Sequence, residues 1–119
     1  MRIASLILAV ALPLPLCAAS PAPTHLTIAL SSFRFDPDPI RLKRGQLYVL
    51  HLVNRSDRKH NFVAPSFFAA ARAARGRFEV PPGGSANVAI VAPAAGRYKV
   101  KCTHFTHAMR GMRTEIIVE

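Results

Sequence analysis

From residue 24 onward, apolar and polar positions alternate with a period of two in short runs, the spacing of half-buried strands rather than helices. Residues 24–30 (THLTIAL) form the first run. Phe33 and Phe35 then flank Arg34 before Pro37 and Pro39 break the pattern. Ile40 and Leu42 resume it, Gly45 marks a turn, and residues 47–53 (LYVLHLV) are apolar enough for a central strand. Asn54-Arg55-Ser56-Asp57 has turn chemistry and leads into an extended piece at 60–63. Further strands are expected at 78–80, at 86–91, around Tyr98 and Val100, and at 113–119. Pro81-Pro82-Gly83-Gly84 and residues 93–96 supply the turns between them. One segment departs from the alternation: Ser66 as a cap, the alanine-rich stretch 67–75 and Gly76 after it predict a short helix. Many short strands, regular turn signals and one short helix predict an all-β fold, an antiparallel Greek-key β-sandwich.

The first nineteen residues follow a different plan. Met1-Arg2 is a short basic start, residues 3–16 are apolar apart from Ser5, Pro13 and Pro15, and Cys17-Ala18-Ala19 offers small residues for cleavage after Ala19. This is the tripartite layout of a secretory signal peptide, and the run is too short to span a membrane. Residues 1–19 are therefore expected to be a signal peptide and 20–119 a single domain, exported to the periplasm. Leu16 before Cys17 fits lipoprotein processing poorly, so simple cleavage ranks above anchoring. About 100 residues then remain, enough for one core that buries roughly 60–68% of the unfolded surface. Half the chain is apolar, with ten prolines, six glycines and no tryptophan, which suits a compact β-rich domain.

Charge narrows the choice of partner. The chain carries 16 Lys+Arg against 6 Asp+Glu; taking out Arg2 leaves 15 against 6, or +9 for the mature part. The basic residues are scattered along the sequence rather than gathered in one run, and no aromatic-rich basic motif is present. Nucleic-acid binding is not expected of an exported chain of this kind. Attraction to an acidic protein partner or an anionic membrane surface is.

Cleavage also removes Cys17 and leaves Cys102 alone, so no internal disulfide can form and the thiol needs another purpose. Its neighbourhood supplies one. His104, His107, Met109 and Met112 all lie within ten residues of Cys102, and His60 stands forty-two residues upstream, followed by Asn61 and Phe62. Cys102, His107 and Met112 are separated by two four-residue spacers, so one tight loop can turn them toward a common point, with His60 arriving from a distant strand. Thiolate and thioether favour Cu(I), imidazole tolerates both oxidation states, and zinc takes a thioether poorly. The donor set is that of one copper ion that passes electrons. A second set, Cys102, His104 and Met109, keeps the same His-to-Met interval but leaves a single residue to fold two donors around one ion. His25 is expected to be solvated and His51, mid-strand, to be a hydrogen-bonded structural residue.

Three stretches resemble the cupredoxins, the small blue copper proteins of the plastocyanin, azurin and pseudoazurin group. They are residues 33–45, residues 54–62 with His60-Asn61-Phe62, and residues 96–102 followed by His107 and Gly111-Met112. The resemblance implies His60, Cys102 and His107 as equatorial copper ligands, Met112 as the weak axial ligand, and Asn61 as a tie between the two ligand loops. It departs from the family where Phe105-Thr106 replaces the frequent Pro-Gly before the second histidine. The implied function is an exported type 1 (blue) copper protein carrying single electrons between redox partners. A copper carrier or copper-resistance protein of the same fold stays open, because His104 and Met109 suit ion hand-over. A Cys–His pair also suggests nucleophilic catalysis, yet no third orienting group stands out, so no enzymatic activity is expected. The expected molecule is a monomer without stable membrane insertion, whose redox partner presents an acidic docking surface.

Overall fold

Alternation along the chain becomes nine strands and one helix in a computed structural model that describes residues 5, 7–17, 20–104 and 111–119. In order these are β1 (Thr24–Ser31), β2 (Arg34–Asp36), β3 (Ile40–Leu42), β4 (Leu47–Asn54), β5 (His60–Val63), α1 (Pro65–Ala70), β6 (Arg77–Val80), β7 (Ser85–Val91), β8 (Gly96–Lys101) and β9 (Arg113–Val118). They form two sheets, β2-β1-β4-β7 and β3-β9-β8-β5-β6. The β-sandwich with one short helix is the architecture the alternation predicts.

Two pairings differ from an all-antiparallel sandwich. β1 runs parallel to β4, with Thr27 opposite His51, and β3 runs parallel to β9, with Ile40 opposite Ile116. The topology gives the reason. β3 lies in the second sheet, so the chain leaves and re-enters the first sheet between β1 and β4, and a connection of that length allows parallel neighbours. Alternation reports which side chains face inward and is silent on strand direction.

Inward residues from both sheets make the core. Along β4 the buried positions are Tyr48, Leu50, Leu52 and Asn54, every second residue, facing Phe62, Val80, Val100 and Ile116 of the other sheet. Phe62, Phe67 and Phe68 are fully buried, each burial contributing about 1.5–3 kcal/mol. Their rings meet edge-on, Phe35 with Phe62 at 5.7 Å, Phe62 with Phe68 at 6.0 Å and Phe68 with Phe78 at 5.1 Å, the arrangement that ring quadrupoles favour.

The helix is shorter than its alanine content predicts. It spans Pro65–Ala70 with Ala64 at the N-cap and no side-chain capping bond, so Ser66 does not act as its cap. Its end is a Schellman motif: Ala73 N–H donates to Phe68 O (2.9 Å) and Arg72 N–H to Ala69 O (3.1 Å), with Arg72 at φ 57°. Gly76 serves another need. A side chain there would meet Pro65 Cα at 3.3 Å, where Ala64 N–H donates to Gly76 O (3.1 Å).

Candidate metal centre

His60 opens β5 and Cys102 follows the last residue of β8, two strands that are neighbours in the five-stranded sheet. Both side chains are fully buried. Cys102 Sγ lies 3.9 Å from His60 Nδ1. Donors bound at about 2.3 Å through sulfur and about 2.05 Å through nitrogen lie about 3.8 Å apart at a trigonal angle of about 120°. The pair is therefore spaced as two donors with room for an ion between them.

The approach to His60 is organised by Asn54, the last residue of β4. Its Nδ2 donates to Arg58 O (2.7 Å) and to Val80 O (3.0 Å), and its Oδ1 accepts from Ser56 N–H (3.0 Å) and Ser56 Oγ (2.8 Å). Every hydrogen-bonding site of this buried amide is used, so the turn that delivers His60 is fastened at both ends. Val80, which accepts one of those bonds, is also the β6 residue opposite His60.

Asn61 joins the two halves of the site. Its backbone N–H points at Cys102 Sγ (3.5 Å), Thr103 N–H donates to its Oδ1 (2.7 Å), and its Nδ2 donates to Thr103 Oγ1 (2.8 Å) and Glu79 Oε1 (3.0 Å). One buried side chain thus binds β5, β6 and the segment after β8 together. Glu79 gathers donors in turn: Arg77 Nη2 lies 3.0 Å from Oε1 and His104 Nε2 2.8 Å from Oε2. The Asn61 amide, then His104 and Arg77, hold its carboxyl below the ordinary 4.5 against a smaller opposing effect of burial.

Met112 is fully buried beside the pair, and its carbonyl accepts the Cys102 N–H at 3.2 Å. It follows Gly111, whose φ of 84° is a left-handed conformation that suits glycine. Lys101 and Arg113 are cross-strand partners, so the residues next to them, Cys102 and Met112, emerge side by side from β8 and β9.

The structure thus brings together His60, Cys102 and the Met112 backbone. His107, the fourth sequence-predicted donor, lies outside the described residues, as does Met109. Among the described residues no three His, Cys, Asp or Glu side chains converge. His104, the competing donor, contacts Glu79. Glu79, Thr103 and Asn54 were not singled out by the sequence. Asn54 carried a signal, its place at the head of a turn, whereas Glu79 and Thr103 are recruited only by strand register.

Residues 4–118 match the family described as Cupredoxin-like domain. Among solved structures, the chain is similar to the Na-dithionite reduced auracyanin of the photosynthetic bacterium Roseiflexus castenholzii, at 23% identity and TM-score 0.66 over 83% of this chain and 99% of that one. It is similar also to auracyanin A, a "blue" copper protein of Chloroflexus aurantiacus, at 21% identity and TM-score 0.62 over 82% and 100%. A reduced amicyanin mutant gives 20% identity and TM-score 0.55 over 79% and 81%. No curated protein gives a significant match by sequence. With a family match across nearly the whole chain, and a two-sheet sandwich shared with these structures, the protein belongs to the cupredoxin-like family.

Proposed function

We propose that the protein is an exported type 1 copper protein that carries single electrons between redox partners, holding one copper ion with His60, Cys102, His107 and Met112. The observation that carries this reading is the fully buried Cys102–His60 pair at 3.9 Å with the Asn61 N–H on the sulfur. Thiolate and imidazole at this spacing, with a thioether residue buried beside them, are the donors of a blue-copper site. When bound, copper supplies a one-electron Cu(I)/Cu(II) couple.

The chain's own residues do the rest. Asn54 and Asn61 fix the two donors from opposite strands, so their separation is set by folding rather than by the ion. Burial keeps water and oxidants from the Cys102 sulfur, which the Asn61 N–H also polarises. A buried, braced pair of this kind favours retaining the ion over handing it on, and so favours electron transfer over copper delivery. No catalytic role is assigned to any of these residues.

Export rests on residues 1–19. Ile7, Leu8, Leu12, Leu14 and Leu16 are at least 80% exposed and contribute nothing to the core, as expected of a leader that is removed. Among the described residues no helix is long and apolar enough to cross a membrane. The redox partner presents an acidic surface to this basic domain, which works as a monomer.

The test is the visible and EPR spectrum of the Cu(II)-loaded mature protein, followed by a reversible redox cycle. An intense thiolate-to-copper band is expected. Cys102→Ser abolishes it, His107→Ala destroys or transforms it, and Met112→Leu keeps it while raising the potential. Stoichiometric but nearly colourless copper with a tetragonal EPR signal would reject the type 1 reading.

A further inference from the structure

The outer face of the four-stranded sheet holds an imidazole pair that the proposed copper centre does not use. β1, β4 and β7 contain no Lys, Arg, Asp or Glu, in a chain with 16 Lys+Arg. On this face Thr27 stands opposite His51 and His51 opposite Asn87. His25 lies two residues before Thr27 and reaches His51 diagonally. Its Nδ1 is 2.8 Å from His51 Nε2, and the two rings are within 9° of parallel with centroids 5.1 Å apart. His25 is therefore partnered, not simply solvated as its place near the mature N-terminus suggests. On the far side of His51, Nδ1 stands 2.6 Å from Asn87 Oδ1. An amide oxygen only accepts, so His51 Nδ1 carries the hydrogen and Nε2 keeps a lone pair facing His25. A polar neighbour that sets the tautomer and aims the other nitrogen is what orients histidines that bind metals.

We infer that His25 and His51 form a second metal site, for a borderline divalent cation such as Cu(II), Ni(II) or Zn(II), with Asn87 as its positioning residue. In the metal-free pair, one hydrogen sits between the two nitrogens. A cation takes its place, and the hydrogen leaves His25 Nδ1 while water returns one to His25 Nε2, so that the imidazole stays neutral and its Nδ1 lone pair is free to bind. Two nitrogens bound at about 2.05 Å lie about 2.9 Å apart at a right angle and about 3.3 Å apart in a tetrahedron. The observed 2.8 Å needs to open by only tenths of an ångström, while His25, the more exposed partner, turns its ring so that both lone pairs meet at the ion. The three strands carry no ammonium or guanidinium to repel a dication locally. Imidazole suits copper, nickel and zinc, and Cu(II) binds tightest of the three. Two protein donors leave positions open to water, so the ion exchanges and contributes little to folding.

The experiment is a titration of the isotope-labelled mature protein with NiCl2, followed through the imidazole ring protons by NMR and through binding heats by calorimetry. The ring signals of His25 and His51 should broaden together within the first two equivalents. His25→Gln and His51→Gln should each weaken that step at least tenfold. Asn87→Ala should weaken it about tenfold, the usual effect of losing an outer-shell partner, and Asn87→Asp should restore it, because a carboxylate accepts the same Nδ1–H. All three residues stand on a solvent face, and the wild-type spectra need no variant. Sharp His25 and His51 signals under excess Ni(II), or a His25→Gln/His51→Gln double variant that keeps the step, overturns the site.

Discussion

Asn61 and Glu79 show how single residues shape the candidate centre without supplying a donor to it. Asn61 spends its whole amide on holding Thr103 and Glu79, which leaves its backbone N–H aimed at the Cys102 sulfur. Glu79 is stabilised as a carboxylate by that amide first, so its folded-state pKa lies below 4.5. A depressed carboxyl pKa adds stability that is present above the unfolded value and is lost as pH falls through the folded one. Glu79→Gln should therefore lower stability at pH 7, and the gap to wild type should close as pH falls below about 4.5. The side chain is 56% exposed, so solvent screening keeps the effect under about 1 kcal/mol. Urea unfolding at pH 7, 4.5 and 3 measures it. A gap that widens toward low pH would remove the carboxylate from this account. Asn61 was legible in the sequence through the family resemblance, which implies a tie at the residue beside His60. Glu79 was not, since the pattern Arg77-Phe78-Glu79-Val80 shows only that it faces outward, and its partner follows from the register Asn61 opposite Glu79.

Among the elements, the helix departs furthest from its sequence signals. Alanine content and Gly76 suggest a helix running to residue 75, yet the chain turns at Arg72 in the left-handed region. Phe67 and Phe68 explain this. Both must enter the core, and ending the helix at Ala70 lets Ala73 return onto Phe68, with Gly76 reserved for the close approach to Pro65. Arg72, a non-glycine residue at φ 57°, is strained, and relieving that strain outweighs the extra chain entropy of glycine. Arg72→Gly should raise stability by about 0.5–1 kcal/mol. Gly76→Ala should lower it, because its Cβ would press on Pro65 Cα. Thermal unfolding of the two variants measures both signs, and a destabilised Arg72→Gly protein would mean that the arginine side chain holds the turn.

At the level of the whole molecule, folding sorts charges that look scattered along the chain. β8 and β9 turn Arg97, Lys99, Lys101 and Arg113 outward next to Arg41 of β3, lining an open groove of about 750 Å³ with Asp38 and Glu115 among its lining residues and Glu119 paired with Arg41 at 2.6 Å. Arg97 is paired with Glu115 at 3.0 Å. The opposite sheet face, on β1, β4 and β7, has no formal charge. Lys101 and Arg113 immediately adjoin Cys102 and Met112, so the positive face reaches the candidate centre. For the proposed electron carrier, the bimolecular rate with an acidic partner should fall several-fold as ionic strength rises from 0.01 to 0.1 M, where the Debye length shrinks from about 30 Å to about 10 Å. Reversing Lys99 and Arg113 to Glu should slow association and leave the copper spectrum intact. A rate that is flat or rising with salt removes steering from the mechanism.

What the chain determined by itself was local. A period of two marks which residues face a core, glycine and proline mark where strands end, and Cys102 among histidines and methionines names its chemistry through donor softness alone. Those readings need only neighbours in sequence. The parallel pairs β1–β4 and β3–β9, the Asn61–Glu79 tie, the His25–His51–Asn87 row and the separation of a basic groove from the uncharged strands β1, β4 and β7 were decided by tertiary structure. Each depends on which strands become neighbours and in what register. That choice is made by burying both apolar faces of the sandwich at once, and no short window of sequence contains it.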